Sequence, residues 1–417
     1  MPRSPVRTSQ PRIAIVGANF AGLTAAQQLS RRHSVTVFDP SPWFEWLPNI
    51  HELLSGVKRP ADLRLSRKRL VARAGHRFVR AAVAELDARR GRLETADGQR
   101  HEFDVAIVAV GGAHDTYGVP GAARHVLPFD SVADCDAIGR RLAALARRKG
   151  PNSIVIVGGG FEGVEALGEI LRAYGRNERL HVTLVEAGPR LLAAQPAGID
   201  RRVRTHCAGR NVTLVTRTRV TRVTPSRVYV DSGRPLPSQL TIWTAGSSAS
   251  PLLHAWGLAQ RPGGWAPVTQ ALQSRRHADV FVIGDAAALP RPLDKQAYYA
   301  MQMGECAAGN VERLLAGRSL RNFRPFAKGM LLTFGDIDTF LLAGRSVVAS
   351  SALAAAKEGV YQLTMAQIDP PLGGRSLQAL SGRLLGGAVR LVVPTLRSAQ
   401  ARRALARLAY FGDGARD

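Results

Sequence analysis

The sequence predicts an α/β fold of two similar parallel-sheet domains, one inserted in the other, followed by a carboxyl-terminal region. Three observations predict it. Two glycine-rich turns, Gly17-Ala18-Asn19-Phe20-Ala21-Gly22 and Gly158-Gly159-Gly160-Phe161-Glu162-Gly163, each join an apolar run to a stretch with helical spacing. Each is followed by a second apolar run that ends in an acid, Asp39 in one and Glu186 in the other. A similar succession of short strands then follows each unit.

Residues 13–16 are continuously apolar and rich in branched side chains, the pattern of a parallel strand buried on both faces. Residues 23–29 have helical spacing, and 35–38 give the second strand before Asp39. Residues 79–99 read as small meandering strands with a turn at Asp97-Gly98, and 104–110 as a buried strand closed by Gly111-Gly112. The unit repeats as strand 153–157, helix 163–174 and strand 182–185 before Glu186. Alternating strands follow over 212–230, then a run at 240–246, and 279–285 is a late buried strand ending in Asp285. A helix is expected over 296–315, and the composition shifts beyond Asn322-Phe323-Arg324-Pro325. This order predicts one Rossmann-like domain at 1–118 and 249–325, a second at 119–248, and a separate region at 326–417.

The turn residues have a physical logic. The first glycine permits a tight turn, the second lets a pyrophosphate approach the backbone, and the third lets helix and strand pack closely. The helix amino terminus then faces the phosphate charge. Asp39 and Glu186 stand where a carboxylate accepts ribose hydroxyls. Two such sites imply two nucleotide cofactors held at once, an arrangement suited to passing electrons between them. Asn19 occupies the second-glycine position of the first turn; asparagine tolerates left-handed angles, so the expectation is a kept site with an altered cradle. Glu186 disfavours a 2′-phosphate by repulsion, which selects NADH over NADPH, although Arg190 lies four residues on.

Composition bounds the rest. At 417 residues the chain has room for two or three domains with proper cores. The basic amino terminus lacks an apolar stretch, and no run of eighteen apolar residues occurs, which points to a cytoplasmic protein or one attached to a membrane without crossing it. The net charge of +25 is mostly arginine scattered along the chain. A solvated surface and attraction to an anionic membrane both account for it. No nucleic-acid module supports a nucleic-acid partner. The cysteines, Cys135, Cys207 and Cys306, form no Cys-x-x-Cys pair, which sets aside sulfide oxidation and disulfide reduction. His51, His101, His114 and His125 lack ligand spacing; each reads as a surface or core histidine, and no metal site is expected. Trp43 and Trp46 read as packing residues, with contact to a bound cofactor as the alternative.

With these motifs in order, the chain resembles the type II NADH dehydrogenases, single-subunit flavoprotein NADH:quinone oxidoreductases. The resemblance runs over residues 13–315. It rests on both turns, the segment from Trp43 to Gly56 with its proline at Pro48, the exit strand at 104–112, and Tyr117-Gly118-Val119-Pro120-Gly121. Gly163-Val164-Glu165, Gly168-Glu169, Ile242-Trp243-Thr244-Ala245-Gly246, Val282-Ile283-Gly284-Asp285 and Ala300-Met301-Gln302-Met303-Gly304 complete it. Three positions depart from the family pattern: Val110 replaces a threonine, Met303 a glutamine, and Lys295-Gln296-Ala297-Tyr298 is unusual.

The resemblance implies FAD in the first site, with Gly17, Asn19, Phe20, Ala21, Gly22, Asp39, Pro48, Val83, Gly111, Asp285 and Met301 among its contacts. It implies NADH in the second, with Gly158, Gly160, Phe161, Glu162, Gly163, Glu186, Ala245 and Gly246. Glu165 would lie near the nicotinamide, unless it is only a helix-terminus carboxylate, and Gln302 would line the flavin edge and quinone entrance. The acceptor would be a quinone. The carboxyl-terminal region would supply homodimer contacts and a membrane anchor, and 401–411 fits an amphipathic basic helix. Two other readings stay open: a soluble NAD(P)H-dependent flavoprotein reducing a carrier protein or biosynthetic intermediate, and a nucleotide-sensing module without turnover.

Overall fold

The computed structural model describes residues 10–326, 329–344 and 346–370, and the backbone of 409–412. The chain divides into two units. Of the described residues, those within 1–46, 64–115 and 247–327 form the first, and those within 47–63, 116–246 and 328–417 the second.

In the first unit the apolar run before Gly17 is the strand Arg12–Val16. It is central in a parallel sheet ordered Val280–Val282, Val105–Val108, Arg12–Val16, Ser34–Phe38, Arg77–Val79. Residues Ile13 to Val16 are all at most 4% exposed, so the strand is covered on both faces, as its unbroken hydrophobicity requires. The helices Phe20–Gln28 and Ala297–Leu315 pack on each other. Gly304 allows that contact, because a methyl group there would lie 2.4 Å from the Ala21 carbonyl oxygen. A three-stranded antiparallel sheet, Val83–Asp87, Arg92–Thr95 and Arg100–Glu102, adds Leu86, Leu93 and Phe103 to a core shared with Val108, Trp256 and Val282. The Trp256 indole N–H donates to the Ala84 carbonyl at 3.0 Å, which satisfies its one polar group.

The second unit repeats the plan. Its parallel sheet runs Leu127–Pro128, Leu240–Trp243, Asn152–Val157, Leu180–Val185, Val212–Val215. The helix Phe161–Tyr174 follows the glycine-rich turn. A second, antiparallel sheet contains Met330–Phe334, Asp338–Ala343, Ser346–Ala349 and Ala409–Gly412. Gly168 lets the helix approach it closely: a methyl there would lie 2.5 Å from the Gly335 nitrogen.

Three features differ from the sequence expectation. Residues 47–63, read as part of the first domain, belong to the second unit. The cause is local packing: Leu53 and Leu54 of the short helix Glu52–Ser55 are buried, and the helix Val132–Arg147 meets them through Gly139. Residues 330–368, expected in a separate region, pack within the same unit through the helix Leu353–Ile368 and the strands before it. The amphipathic helix expected over 401–411 is corrected at its end, because Ala409–Gly412 form a strand paired with Ser346–Ala349. Residues 401–408 lie outside the described residues. Among the described residues no helix is long and apolar enough to cross a membrane.

Candidate functional site

The first turn is built as its residue types demand. Gly17 has φ +95°, and a methyl there would lie 2.3 Å from the Ala109 carbonyl oxygen. A methyl at Gly22 would lie 1.9 Å from the Gly17 carbonyl oxygen, so both positions exclude any side chain. Asp39, at the end of the next strand, accepts hydrogen bonds from the Ala18 and Ser41 backbone N–H groups at 2.8 and 2.9 Å. The buried Arg67 guanidinium donates to Asp39 Oδ1, the oxygen that also accepts the Ser41 N–H, and to the Ala18 carbonyl.

Asn19 is corrected. Its backbone has φ −95° and ψ −147°, so no left-handed angle explains the asparagine. Its side chain instead pairs with one backbone residue of the strand Trp43–Glu45. Nδ2 donates to the Glu45 carbonyl at 3.2 Å, and Oδ1 accepts the Glu45 N–H at 3.1 Å. The side chain does not cap the helix Phe20–Gln28. Phe20 packs edge-on against Phe44 and Trp46, while Trp43 is exposed.

The other residues expected near this turn fall in several places. Gly111 has φ +68° with open space where a side chain would be. Asp285 lies in the turn Gly284–Ala286 at the carboxyl end of the sheet, and a methyl on Gly284 would lie 3.1 Å from the Ala21 Cβ. Burial pushes the Asp285 carboxyl pKa up, against the opposing charge of Lys295. Val83 is buried in the core with Leu86 and Leu93. Both ends of the Gln302 amide are bonded to the backbone of Phe326, at 3.2 and 2.8 Å, with Met301 half-buried beside it in sequence.

The second turn has the same plan. Gly158 has φ +110°, and a methyl at Gly163 would lie 1.9 Å from the Gly158 carbonyl oxygen. Gly160 has nothing within 4 Å of where a side chain would begin, which leaves room for a phosphate at the backbone. Glu186 accepts the Gly159 N–H at 2.6 Å and that of Gly188. Arg190 donates to the carbonyls of Leu191, Leu192, Ala193 and Gln195, so its guanidinium is committed to its own loop. Gly158 packs against Ala245, and Gly246 has φ +84°. Glu162 and Phe161 open the helix Phe161–Tyr174. The Glu162 carboxyl is reached by solvent, yet surrounding protein pushes its pKa up to about 8, with Asp130 and Glu165 adding to the effect. Pro48 lies in the turn Leu47–Asn49 of this unit.

Glu165, on the same helix, joins a polar cluster of four residues. Its Oε1 accepts Lys357 Nζ at 2.6 Å and the Thr333 N–H at 3.2 Å. Thr333 Oγ1 lies 3.0 Å from His51 Nε2 and 3.2 Å from Lys357 Nζ, and His51 Nδ1 lies 3.5 Å from Glu165 Oε2. His51 and Lys357 are 1% and 8% exposed, so this is a desolvated network rather than a surface ion pair. Burial, then the charge of Lys357, holds the His51 pKa well below its usual value. One turn on, Glu169 is 1% exposed and bonded by Ser55, and burial pushes its pKa up to about 7. Of the cluster, the sequence reading names Glu165 as a candidate near the nicotinamide and His51 only as a surface or core histidine. Lys357 had one signal, a single cation after an apolar run of helix; Thr333 had none.

Two copies of one turn geometry, each with an acid bonded to the turn's own backbone, define a dinucleotide-binding plan. A sequence model of the pyridine nucleotide-disulphide oxidoreductase family matches residues 11–304. The chain belongs to this family. It is 27% identical over 371 residues to a type II NADH:quinone oxidoreductase of Staphylococcus epidermidis, covering 82% of this chain and 92% of the relative. Its fold is similar to the NDH2 of Plasmodium falciparum in complex with NADH, with a TM-score of 0.76 at 14% identity, over 85% of this chain and 94% of that one. It is equally similar to the sulfide:quinone oxidoreductase of Aquifex aeolicus, with a TM-score of 0.76 at 16% identity, over 86% and 91% of the two chains. As a family member it has no disulfide among the described residues: Cys135, Cys207 and Cys306 are free. Burial pushes the Cys207 and Cys306 thiols up to about 11, which leaves them poor nucleophiles.

Proposed function

We propose that the protein is an FAD-dependent NADH:quinone oxidoreductase. The observation that carries this reading is the paired turn geometry, in which Gly17 and Gly158 hold left-handed angles and Asp39 and Glu186 are each bonded to their own turn. The residues present fit two dinucleotides. Gly160 and Gly111 leave open space at the backbone, and Asn19 is turned to the Glu45 strand. Asp39 and Gly17 to Gly22 would hold the FAD ribose and pyrophosphate, with Asp285 at the carboxyl end of the same sheet. Glu186 and Gly158 to Gly163 would hold NADH. Arg190, committed to four carbonyls, is not free to receive a 2′-phosphate, which supports NADH over NADPH.

Bound FAD would supply hydride acceptance from the nicotinamide and two-electron transfer to the acceptor. The chain's own part is positioning and protons. Reducing a quinone consumes two protons, and the Glu165–Lys357–Thr333–His51 cluster offers an ammonium hydrogen-bonded to a carboxylate in a desolvated setting. The proton would come from the Lys357 ammonium, which donates to Glu165 Oε1; Glu165 would relay it to the acceptor, and the neutral amine left on Lys357 would be reprotonated from solvent. The similarity to type II NADH:quinone oxidoreductases supports the quinone as acceptor, and the high thiol pKa values of Cys207 and Cys306 weigh against sulfide or disulfide chemistry. The net charge of +25 supports a seat on an anionic membrane surface, where a lipid-soluble quinone is found. A homodimer accords with the resemblance.

The test is reoxidation of the NADH-reduced protein. Oxidation by a soluble quinone faster than by oxygen or ferricyanide supports the reading. Quinone no faster than oxygen, with rapid transfer to a protein carrier, favours the soluble reductase instead.

A further inference from the structure

Lys295 stands in an unusual setting within the first unit. Its ammonium donates to the Asp285 carbonyl at 2.6 Å and the Ala287 carbonyl at 3.2 Å, and lies 4.0 Å from the centre of the Trp265 ring. These contacts orient the ammonium and polarise toward it, yet none cancels its charge. Among the described residues it makes no direct ion pair; burial lowers its pKa, and the Asp285 carboxylate, acting through space, opposes that and favours the charged ammonium.

The location gives this charge a meaning. Asp285 ends the strand Val280–Val282 at the carboxyl edge of the parallel sheet, the edge where open α/β sheets bind their ligands. Trp265, the ring beneath the ammonium, packs on Gly112, where a methyl would lie 3.2 Å from it. Gly111 beside it has open space, and the Gly284 turn abuts Ala21 of the first dinucleotide turn. The ammonium is therefore fixed on the rim that carries the nucleotide cradle, by backbone and a ring rather than by a carboxylate.

We propose that Lys295 is an electrostatic positioning residue of the flavin site, holding a positive charge outside any direct ion pair that favours the reduced, more negative form of the bound flavin. The inference rests on the FAD reading above. A fixed cation near a group that gains negative charge stabilises the charged form. Its effect is to raise the flavin midpoint potential, which helps hydride acceptance from NADH. The carbonyl contacts keep the Asp285 turn in place at the same time.

The experiment measures flavin content and midpoint potential, by equilibration with reference dyes, for the wild type and for Lys295→Met, Lys295→Gln and Lys295→Arg. The neutral variants are expected to lower the reduced-to-oxidised ratio about tenfold at a fixed potential, a shift of ~30 mV for a two-electron couple. Lys295→Arg is expected to restore it. Equal potentials in all flavin-bearing variants overturn the proposal and leave Lys295 a purely structural tie. Loss of flavin from both neutral variants with retention by Lys295→Arg supports the charge; loss from all three, arginine included, overturns it. A wild-type protein that binds no flavin overturns the functional reading itself, whereas flavin binding with unchanged potentials overturns only the role of Lys295.

Discussion

Lys357 and Glu165 are 192 residues apart in sequence, and their side chains meet at 2.6 Å. With Thr333 and His51 they form a desolvated polar cluster in a unit otherwise organised for nucleotide binding. If this cluster supplies protons for quinone reduction, Glu165→Gln slows that half-reaction by about 10²-fold, the lower range for a general acid. Hydride transfer from NADH, followed anaerobically by stopped flow, changes much less. Equal slowing of both half-reactions contradicts a proton role. Lys357→Met is expected to cost more stability than Glu165→Gln, because it strands a carboxylate in a desolvated place.

Asn19 is tied to Glu45 by two hydrogen bonds, and Asn19→Ala removes both. The expected loss is about 1–2 kcal/mol of unfolding free energy, with faster release of flavin as the strand Trp43–Glu45 loosens. Chemical denaturation and flavin fluorescence after dilution check the two effects. An unchanged denaturation midpoint shows that the pairing contributes nothing.

The fold was readable because its strands are continuous apolar runs, as at Ile13 to Val16 and Ile154 to Val157, and because each turn places glycines where no side chain fits. The helix expected over 296–315 is Ala297–Leu315 with Gln296 as its cap. Three things were not readable. Asn19 was judged by its backbone tolerance, whereas a strand 26 residues away explains it. His51 was one of several scattered histidines, since only folding brings it to Thr333, 282 residues on. Residues 47–63 carry no composition mark showing which unit their buried leucines join. Contacts between distant segments leave no period in a sequence.

Glu162 gives a pH signature. Protein surroundings push its pKa up to about 8, so below that pH the carboxyl is mostly neutral and tolerates a pyrophosphate at the same turn. As pH rises through 8 it ionises and repels the phosphates. The KM for NADH is expected to rise several-fold between about pH 7 and 9 in the wild type. In Glu162→Gln it stays flat, and a rise in that variant too assigns the effect elsewhere.

Glu169 gives a stability signature. Its folded-state pKa is raised from 4.5 to about 7, so between those values the unfolded chain has lost a proton that the folded one keeps. Stability therefore falls as pH rises through this window and levels off above it. The full effect is of order 3 kcal/mol. Glu169→Gln keeps a neutral partner for Ser55 and removes this slope; thermal unfolding of both proteins from about pH 5 to 8 checks it. Parallel curves for the two proteins contradict the shift.

The protein passes electrons from NADH to a bound FAD. Anaerobic titration of the purified protein with NADH, followed by flavin absorbance, tests this transfer most directly. The purified protein is expected to be yellow and to bleach with about one equivalent of NADH, with NADPH much less effective. A colourless protein that takes up no added FAD, or bound flavin that NADH leaves oxidised, contradicts it.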